Sequence, residues 1–175
     1  RLWSRPEHDE RAPQELPEIK RLDLAEVVLT LKAAGVADLR QFRWLEKPDE
    51  ISLTHAEELL ADLGALHRSN LGGITELGRK MLAFPMHPRY ARMLLAAQEY
   101  GCVHQACLVA ALTQGRDLLL RGGGKEVQSD RDDLLGEKAT SDFWILMRAW
   151  TFAQNNQFRL DACRRLGIHA VTAKQ

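Results

Sequence analysis

Apolar residues in this chain recur at helical spacing, and a Gly or Pro closes nearly every run. That pattern restricts the fold to short helices joined by tight turns. Leu24, Val27, Val28 and Leu31 fall at i, i+3, i+4 and i+7, behind Asp23 and Glu26 at capping-box spacing, and Gly35 stops the run. Asp38 to Phe42 predicts one more short helix before Pro48. Thr54 and Glu57 form a second capping box, with Ala56, Leu59, Leu60 and Leu63 behind it and Gly64 as the stop.

Ala65-Leu66-His67 and Ile74-Thr75 flank Ser-Asn-Leu-Gly-Gly at 69–73, which predicts a short hairpin with a Gly-containing loop. A helix follows from about Leu77 to Phe84, closed by Pro85. Helix, helix, two-stranded wing, helix is close to a winged-helix arrangement. Upstream, residues 1–19 carry Pro6, Pro13 and Pro17 and are expected to be an extended connection.

From His87 onward the pattern turns almost wholly helical. Pro88 stands at a first helical position, and Met93, Leu94 and Ala97 keep helical spacing. Gly101 separates this run from Val103–Leu112. The stretch Arg121-Gly122-Gly123-Gly124-Lys125 opens a charged segment, expected as a mobile loop to about Ala139. Thr140 or Ser141 then caps a helix carrying Phe143, Met147 and Trp150, ended by Asn155-Asn156. A last helix is expected from about Arg159 to Leu166, stopped by Gly167. The fold class is therefore mainly α: a winged-helix domain with a short β-hairpin wing, followed by a helical bundle.

Charge is informative only in its distribution, because 24 basic residues balance 24 acidic ones. Residues 49–78 hold Arg68 against six carboxylates, whereas 79–125 hold seven cations against Glu99 and Asp117. A basic stretch beside an acidic one fits a polyanion footprint, and it equally fits solvated helix faces. The three cysteines (Cys102, Cys107, Cys163) form no CxxC pair and suit a reducing, cytoplasmic setting. No apolar run approaches the ~18 residues of a membrane span, and no signal peptide opens the chain. Starting at Arg1-Leu2-Trp3-Ser4 without Met, it reads as a piece of a longer protein.

Catalytic signatures are missing where chemistry would need them. A nucleotide-hydrolysing loop ends in Gly-Lys-Ser/Thr, so that backbone amides and the Lys cradle phosphate. Gly122-Gly123-Gly124-Lys125 lacks that spacing, lacks the hydroxyl, and follows no strand. His104 and Cys107 share a helical face near Cys102, but a tetrahedral zinc site needs about four ligands and only Cys163 could complete it. No catalytic residue and no metal site is assigned.

Binding chemistry is more visible. Trp144 and Trp150 could stack on unpaired bases, although an aromatic stripe at helical spacing is more commonly core. Arg148 projects off that stripe, as a contact to a backbone phosphate or as a surface ion pair. The helix before the wing, where a duplex-reading protein keeps its cations, carries Glu57, Glu58 and Asp62 and no Lys or Arg. Phosphate would be repelled there.

Leu16-Pro17-Glu18-Ile19-Lys20-Arg21 is followed in order by Leu31 to Leu39, Phe42 to Pro48, Ala56 to Leu66 and Ile74 to Pro88, and this series resembles the region following the second RecA-like domain of DEAH-box ATP-dependent RNA helicases. Leu16-Pro17-Glu18-Ile19-Lys20-Arg21 is similar to that family's Pro-Glu-Ile-x-Arg segment, and Leu31 to Leu39 follows as it does there. Phe42 to Pro48, Ala56 to Leu66 and Ile74 to Pro88 match its next blocks in order. Arg1-Leu2-Trp3-Ser4 resembles the last strand of the preceding RecA-like domain.

The resemblance implies residues 1–6 as a remnant of that strand, 7–86 as a winged-helix domain and 87–175 as the ratchet bundle. It implies an accessory module without ATPase motifs, which helps to enclose and ratchet single-stranded RNA, with DNA as the other candidate strand. ATP and Mg would belong to upstream RecA-like domains, and a barrel domain would follow; those domains, and no membrane, are the implied partners. RNA-facing candidates are Arg121, Lys125, Ser141, Asp142 and Arg148, the pair Asp142-Phe143 standing where the family often has an acidic residue followed by His. Arg21 is the candidate for docking onto a RecA-like domain, or else a solvated Arg before a helix. Two alternatives to the accessory module are a protein-docking scaffold using the acidic 49–78 face and a winged-helix DNA-binding regulator.

Overall fold

The computed structural model describes residues 3–11, 14–68, 72–122, 124–136 and 141–175. These hold ten α-helices and no strand beyond two isolated antiparallel bridges. The mainly helical class is as expected. The chain divides into two compact units, Arg1–Arg92 and Met93–Gln175. Among the described residues no helix is long and apolar enough to cross a membrane.

Unit one begins with a helix where extended chain was expected. In α1 (Arg5–Glu10), Ser4 accepts from the Glu7 amide while Glu7 reaches back to the Ser4 amide at 2.9 Å, and Pro6 sits in the first turn. This capping box was present in the sequence as Ser4-x-x-Glu7 and outweighs the neighbouring prolines. Arg5 and Pro6 lie in this helix. A single 3-10 turn (Glu18–Lys20) leads to α2 (Ala25–Ala33), where Asp23 accepts from the Ala25 amide at 2.8 Å.

The buried face of α2 is rotated from the expected stripe. Leu24, Ala25, Val28, Leu29 and Lys32 are buried, while Val27 is 42% exposed. The cause is polar: the Lys32 ammonium turns inward to the Ala37 carbonyl at 2.7 Å and to Glu57 at 3.4 Å. Residues 38–42 form bends rather than a helix. Asp38 accepts from the Arg40 amide, an Asx turn that competes with helix formation.

Helix α3 (Glu50–Asp62) starts four residues before the expected Thr54 cap and has Asp49 at its N-cap position. Thr54 instead bonds back to the Glu50 carbonyl at 2.9 Å and receives Arg40 at 3.2 Å. Leu53, Ala56 and Leu60 are its buried face, packed on α2.

Among the described residues the expected β-hairpin wing is not seen. Leu66 and Ile74 make one isolated antiparallel bridge, closed by His67 N–H to Gly73 O and Thr75 N–H to Ala65 O, both 2.9 Å. On the helix side the ladder cannot lengthen: Gly64 (φ +76°) ends α3 two residues before the bridge, and Thr75 already caps α4 (Glu76–Met81) one residue after it. Residues 69–71 of the expected loop lie outside the described residues.

Helix α5 (Pro88–Glu99) starts at its Pro as expected, and α6 (Val103–Gln114) follows Gly101. The expected mobile loop after Lys125 is instead helix α7 (Lys125–Leu135). Ser141 caps α8 (Asp142–Asn155), accepting from the Phe143 amide, while Thr140 lies outside the described residues. The chain then turns through Gln157 and Phe158, both at φ +54°, a left-handed conformation costly for side chains with a Cβ. That turn brings the Phe158 ring 6.3 Å from Trp150, so packing offsets the cost. Helix α9 (Leu160–Arg165) precedes α10 (Ala170–Lys174), which no sequence signal had indicated.

The second unit's core gathers Leu118, Leu135, Ala149, Ala153, Cys163, Leu166 and Ile168. Trp150 packs against it and donates its indole N–H to the Ala173 carbonyl at 2.9 Å, which makes it the core residue of the aromatic stripe. Trp144 is 51% exposed.

Candidate nucleic-acid interface

On α3, the acidic residues are partly consumed by the fold. Arg40 bridges Glu50 at 2.6 Å and also pairs with Glu57, whose other oxygen faces Lys32. The hydrogen bonds that Arg40 donates, to Glu57 first and then to Glu50, raise its guanidinium above its ordinary value. Asp62 pairs with Arg68 at 2.7 Å. What remains beside α3 is a cavity of about 440 Å³ lined by Glu57, Glu58, Asp62, His67 and Arg68 among others. No cation of α3 itself offsets that field, and a duplex phosphate backbone is disfavoured there.

The expected RNA-facing residues fall on two sites linked by α7. Arg121 lies in the turn after the Leu119–Ile168 bridge, 90% exposed, and pairs with Asp117 at 3.0 Å. Lys125 is the exposed first residue of α7, with no ion pair among the described residues. The Arg131 guanidinium ties this end together: it donates to Leu166 O at 2.7 Å, to Leu120 O at 3.1 Å and to Gly167 O at 3.3 Å.

Arg148 sits at the opposite end of α7. Its Nη1 donates to Leu135 O at 2.8 Å, so α8 caps the C-terminal carbonyls of α7. A cation there also suits the negative end of the helix dipole. At 1.5 Å per residue, α7 separates the Lys125 end from the Arg148 end by about 15 Å. Ser141 and Asp142 stand at the N-terminus of α8, Ser141 as a cap and Asp142 exposed. Arg121 and Lys125 thus lie near the N-terminal end of α7 and Arg148 contacts its C-terminal end, and among the described residues no direct contact of Ser141 or Asp142 with them is recorded.

In the first unit, Arg21 follows the 3-10 turn and pairs with Glu15 at 3.2 Å, with its side chain 45% exposed. Beside it runs a groove of about 570 Å³ that includes Ile19, Leu22, Val27 and Leu31.

Sequence reasoning missed three arginines. Arg131 was hidden in a presumed loop. Arg164 and Arg165 end α9, where the dipole favours cations. Arg165 grips Asp130 of α7 through two bonds, Nε at 2.8 Å and Nη2 at 3.4 Å. That grip holds the Asp130 carboxyl below its ordinary range and raises the guanidinium further, with Asp133 adding its field to Arg165. The adjacent pair Arg164-Arg165 was the available signal.

The cysteines do not converge. Cys163 is fully buried and its thiol is pushed up by burial, with Asp161 adding to the shift, whereas Cys107 is exposed. His104 stacks on Trp150 at 5.7 Å. Among the described residues no three His, Cys, Asp or Glu side chains gather as a metal site.

Comparison with known proteins matches two parts of one helicase-associated domain. The winged-helix part of the helicase-associated domain (HA2) matches residues 56–86, and its ratchet-like part matches residues 87–164. The ATP-dependent RNA helicase HrpA of Escherichia coli (strain K12) is 33% identical over 171 residues, which is 95% of this chain and 13% of that protein. Its HrpA homolog in Haemophilus influenzae is 30% identical over 162 residues, 90% of this chain and 12% of that protein. The chain therefore spans about an eighth of the length of these curated relatives. It belongs to the helicase-associated (HA2) region of the DEAH-box RNA helicase family, a winged-helix domain followed by a ratchet-like one.

Proposed function

We propose that this helicase-associated module holds single-stranded RNA during ATP-driven unwinding, with the strand lying along the second unit. The supporting observation is the placement of Arg121 and Lys125 at one end of α7 and Arg148 at the other, in the part that matches the ratchet-like domain. Cations spaced along an edge meet successive phosphates, while Ser141 and Asp142 offer hydrogen-bonding groups at the start of α8. In this reading residues 7–86 are the winged helix and 87–175 the ratchet. Arg21 helps to seat the first unit on the helicase's own RecA-like domains. ATP and Mg act in those upstream domains, a barrel domain completes the channel, and the protein works in the cytoplasm.

Fluorescence anisotropy of a labelled single-stranded RNA tests this reading. Binding is expected to weaken with salt and with Arg121→Glu or Arg148→Glu. Binding that ignores both changes would remove the strand from this surface.

A second reading, a protein-docking module, draws support from the acidic cavity at Glu57, Glu58 and Asp62. It predicts a chain that binds the upstream helicase half and ignores RNA.

A further inference from the structure

Helix α7 is held on the second unit in an unusual way. Of its 11 residues only Leu135 is buried. Isolated helices shorter than about 12–15 residues are marginal in water, so α7 depends on its docking. The docking is almost entirely polar: Arg131 to three carbonyls, Arg148 to Leu135 O, and Arg165 to Asp130. The helix is itself acidic, with Glu126, Asp130, Asp132 and Asp133 against Lys125 and Arg131. Asp130 and Asp133 act on Arg165, which lies beside exposed Arg164.

We propose that Arg164 and Arg165 form a phosphate-binding surface, and that α7 is an acidic latch over it whose Asp130 occupies the place of a backbone phosphate. A phosphodiester presents oxygens to a guanidinium much as a carboxylate does, so the two acceptors compete for the same fork. An arriving strand trades Asp130 for phosphate, and the repulsion between Asp133 and the strand loosens the contact of α7 with α9 without detaching the helix, which Arg131 and Arg148 still hold. The exposed pair contributes little to stability, which makes it a contact that a polyanion can displace. This inference rests on the RNA-holding reading for the identity of the strand, but not for the existence of the latch.

Hydrogen exchange of amides 126–135 in the 175-residue chain reads the latch directly, with a single-stranded RNA oligonucleotide, with heparin as a base-free polyanion, and across a salt series. Exchange over α7 is expected to quicken with each. Replacing Asp130 and Asp133 together by Asn removes charge without removing volume, and should quicken α7 exchange and tighten RNA binding by about threefold. Arg165→Gln should quicken exchange yet weaken binding. If RNA binds while α7 exchange and the doubly substituted chain's affinity stay unchanged, the latch is wrong and the RNA-holding reading survives. If RNA binds no variant, that reading fails instead, and heparin and salt decide the latch: quickened exchange keeps it, unchanged exchange overturns it.

Discussion

The ammonium of Lys32 lies 3.4 Å from a Glu57 carboxylate oxygen, with the lysine side chain 4% exposed and the glutamate 25% exposed. Removing one partner of a buried pair leaves an uncompensated charge, whereas replacing the charge by an apolar group of similar shape is often tolerated. Glu57→Ala is therefore expected to cost about 2–3 kcal/mol, below the roughly 3–5 kcal/mol typical of a wholly buried pair. Glu57 is partly solvated, and Lys32 keeps its bond to Ala37 O. Lys32→Met should cost about 1 kcal/mol or less. Urea unfolding of the two variants checks the asymmetry, and equal losses would mean the pair is not the stabilising element.

Gly78 in α4 faces the Ala65 backbone closely, with the Ile74 side chain beside it. A Cβ there would lie 2.3 Å from Ala65 O and 2.8 Å from Ile74 Cγ1, the two segments that form the isolated bridge. Gly78→Ala is expected to destabilise the chain by about 2–3 kcal/mol, in the upper range of overpacking, although alanine ordinarily favours a helix over glycine. Thermal unfolding gives the sign. A neutral or stabilising alanine would mean the bridge can move away.

Much of this was legible in the chain. Gly35, Gly64, Gly101 and Gly167 all adopt positive φ close to the expected helix ends, and Pro88 starts its helix. What failed has definite causes. The α2 face was misplaced because Lys32, polar by identity, is buried by pairing with Glu57, which lies 25 positions away and sends no local signal. The segment after Lys125 was taken for a loop because its apolar stripe is almost absent; the helix is held instead by arginines from α8 and α9. The wing was over-read because alternation and a Gly-containing loop permit a hairpin, while on the helix side the ladder stops at one bridge. The RNA-facing residues came from resemblance, and only their placement, not their role, is visible in the geometry.

Arg148 has a structural duty that complicates a simple reading of its loss. Arg148→Met removes the 2.8 Å bond to Leu135 O, and is expected to quicken exchange in the last turn of α7 at a cost of about 1 kcal/mol. Arg148→Lys keeps the charge but loses the planar fork. If Arg148 serves RNA only as a charge, lysine should retain most of the binding while α7 exchange still quickens. Parallel loss of binding and protection in both variants would place its effect in holding α7 rather than in touching the strand.

Acid should release α7 at a point set by Asp130. Its folded-state carboxyl titrates below the ordinary value, because Arg165 bonds to the ionised form. A group with a depressed folded-state value adds stability that is complete above its unfolded value, about 3.9, and is lost as pH falls through the folded-state value. Wild type and Asp130→Asn should therefore differ in helix content by circular dichroism at about pH 5–6 and converge as pH falls through the depressed Asp130 value. Asp161, also lowered, by the Ala162 amide first and by Arg159, titrates in both proteins, so the difference spectrum isolates the contact between α7 and α9. A difference that persists unchanged to about pH 2.5 would show that the Asp130→Asn change perturbs α7 for reasons other than the missing charge.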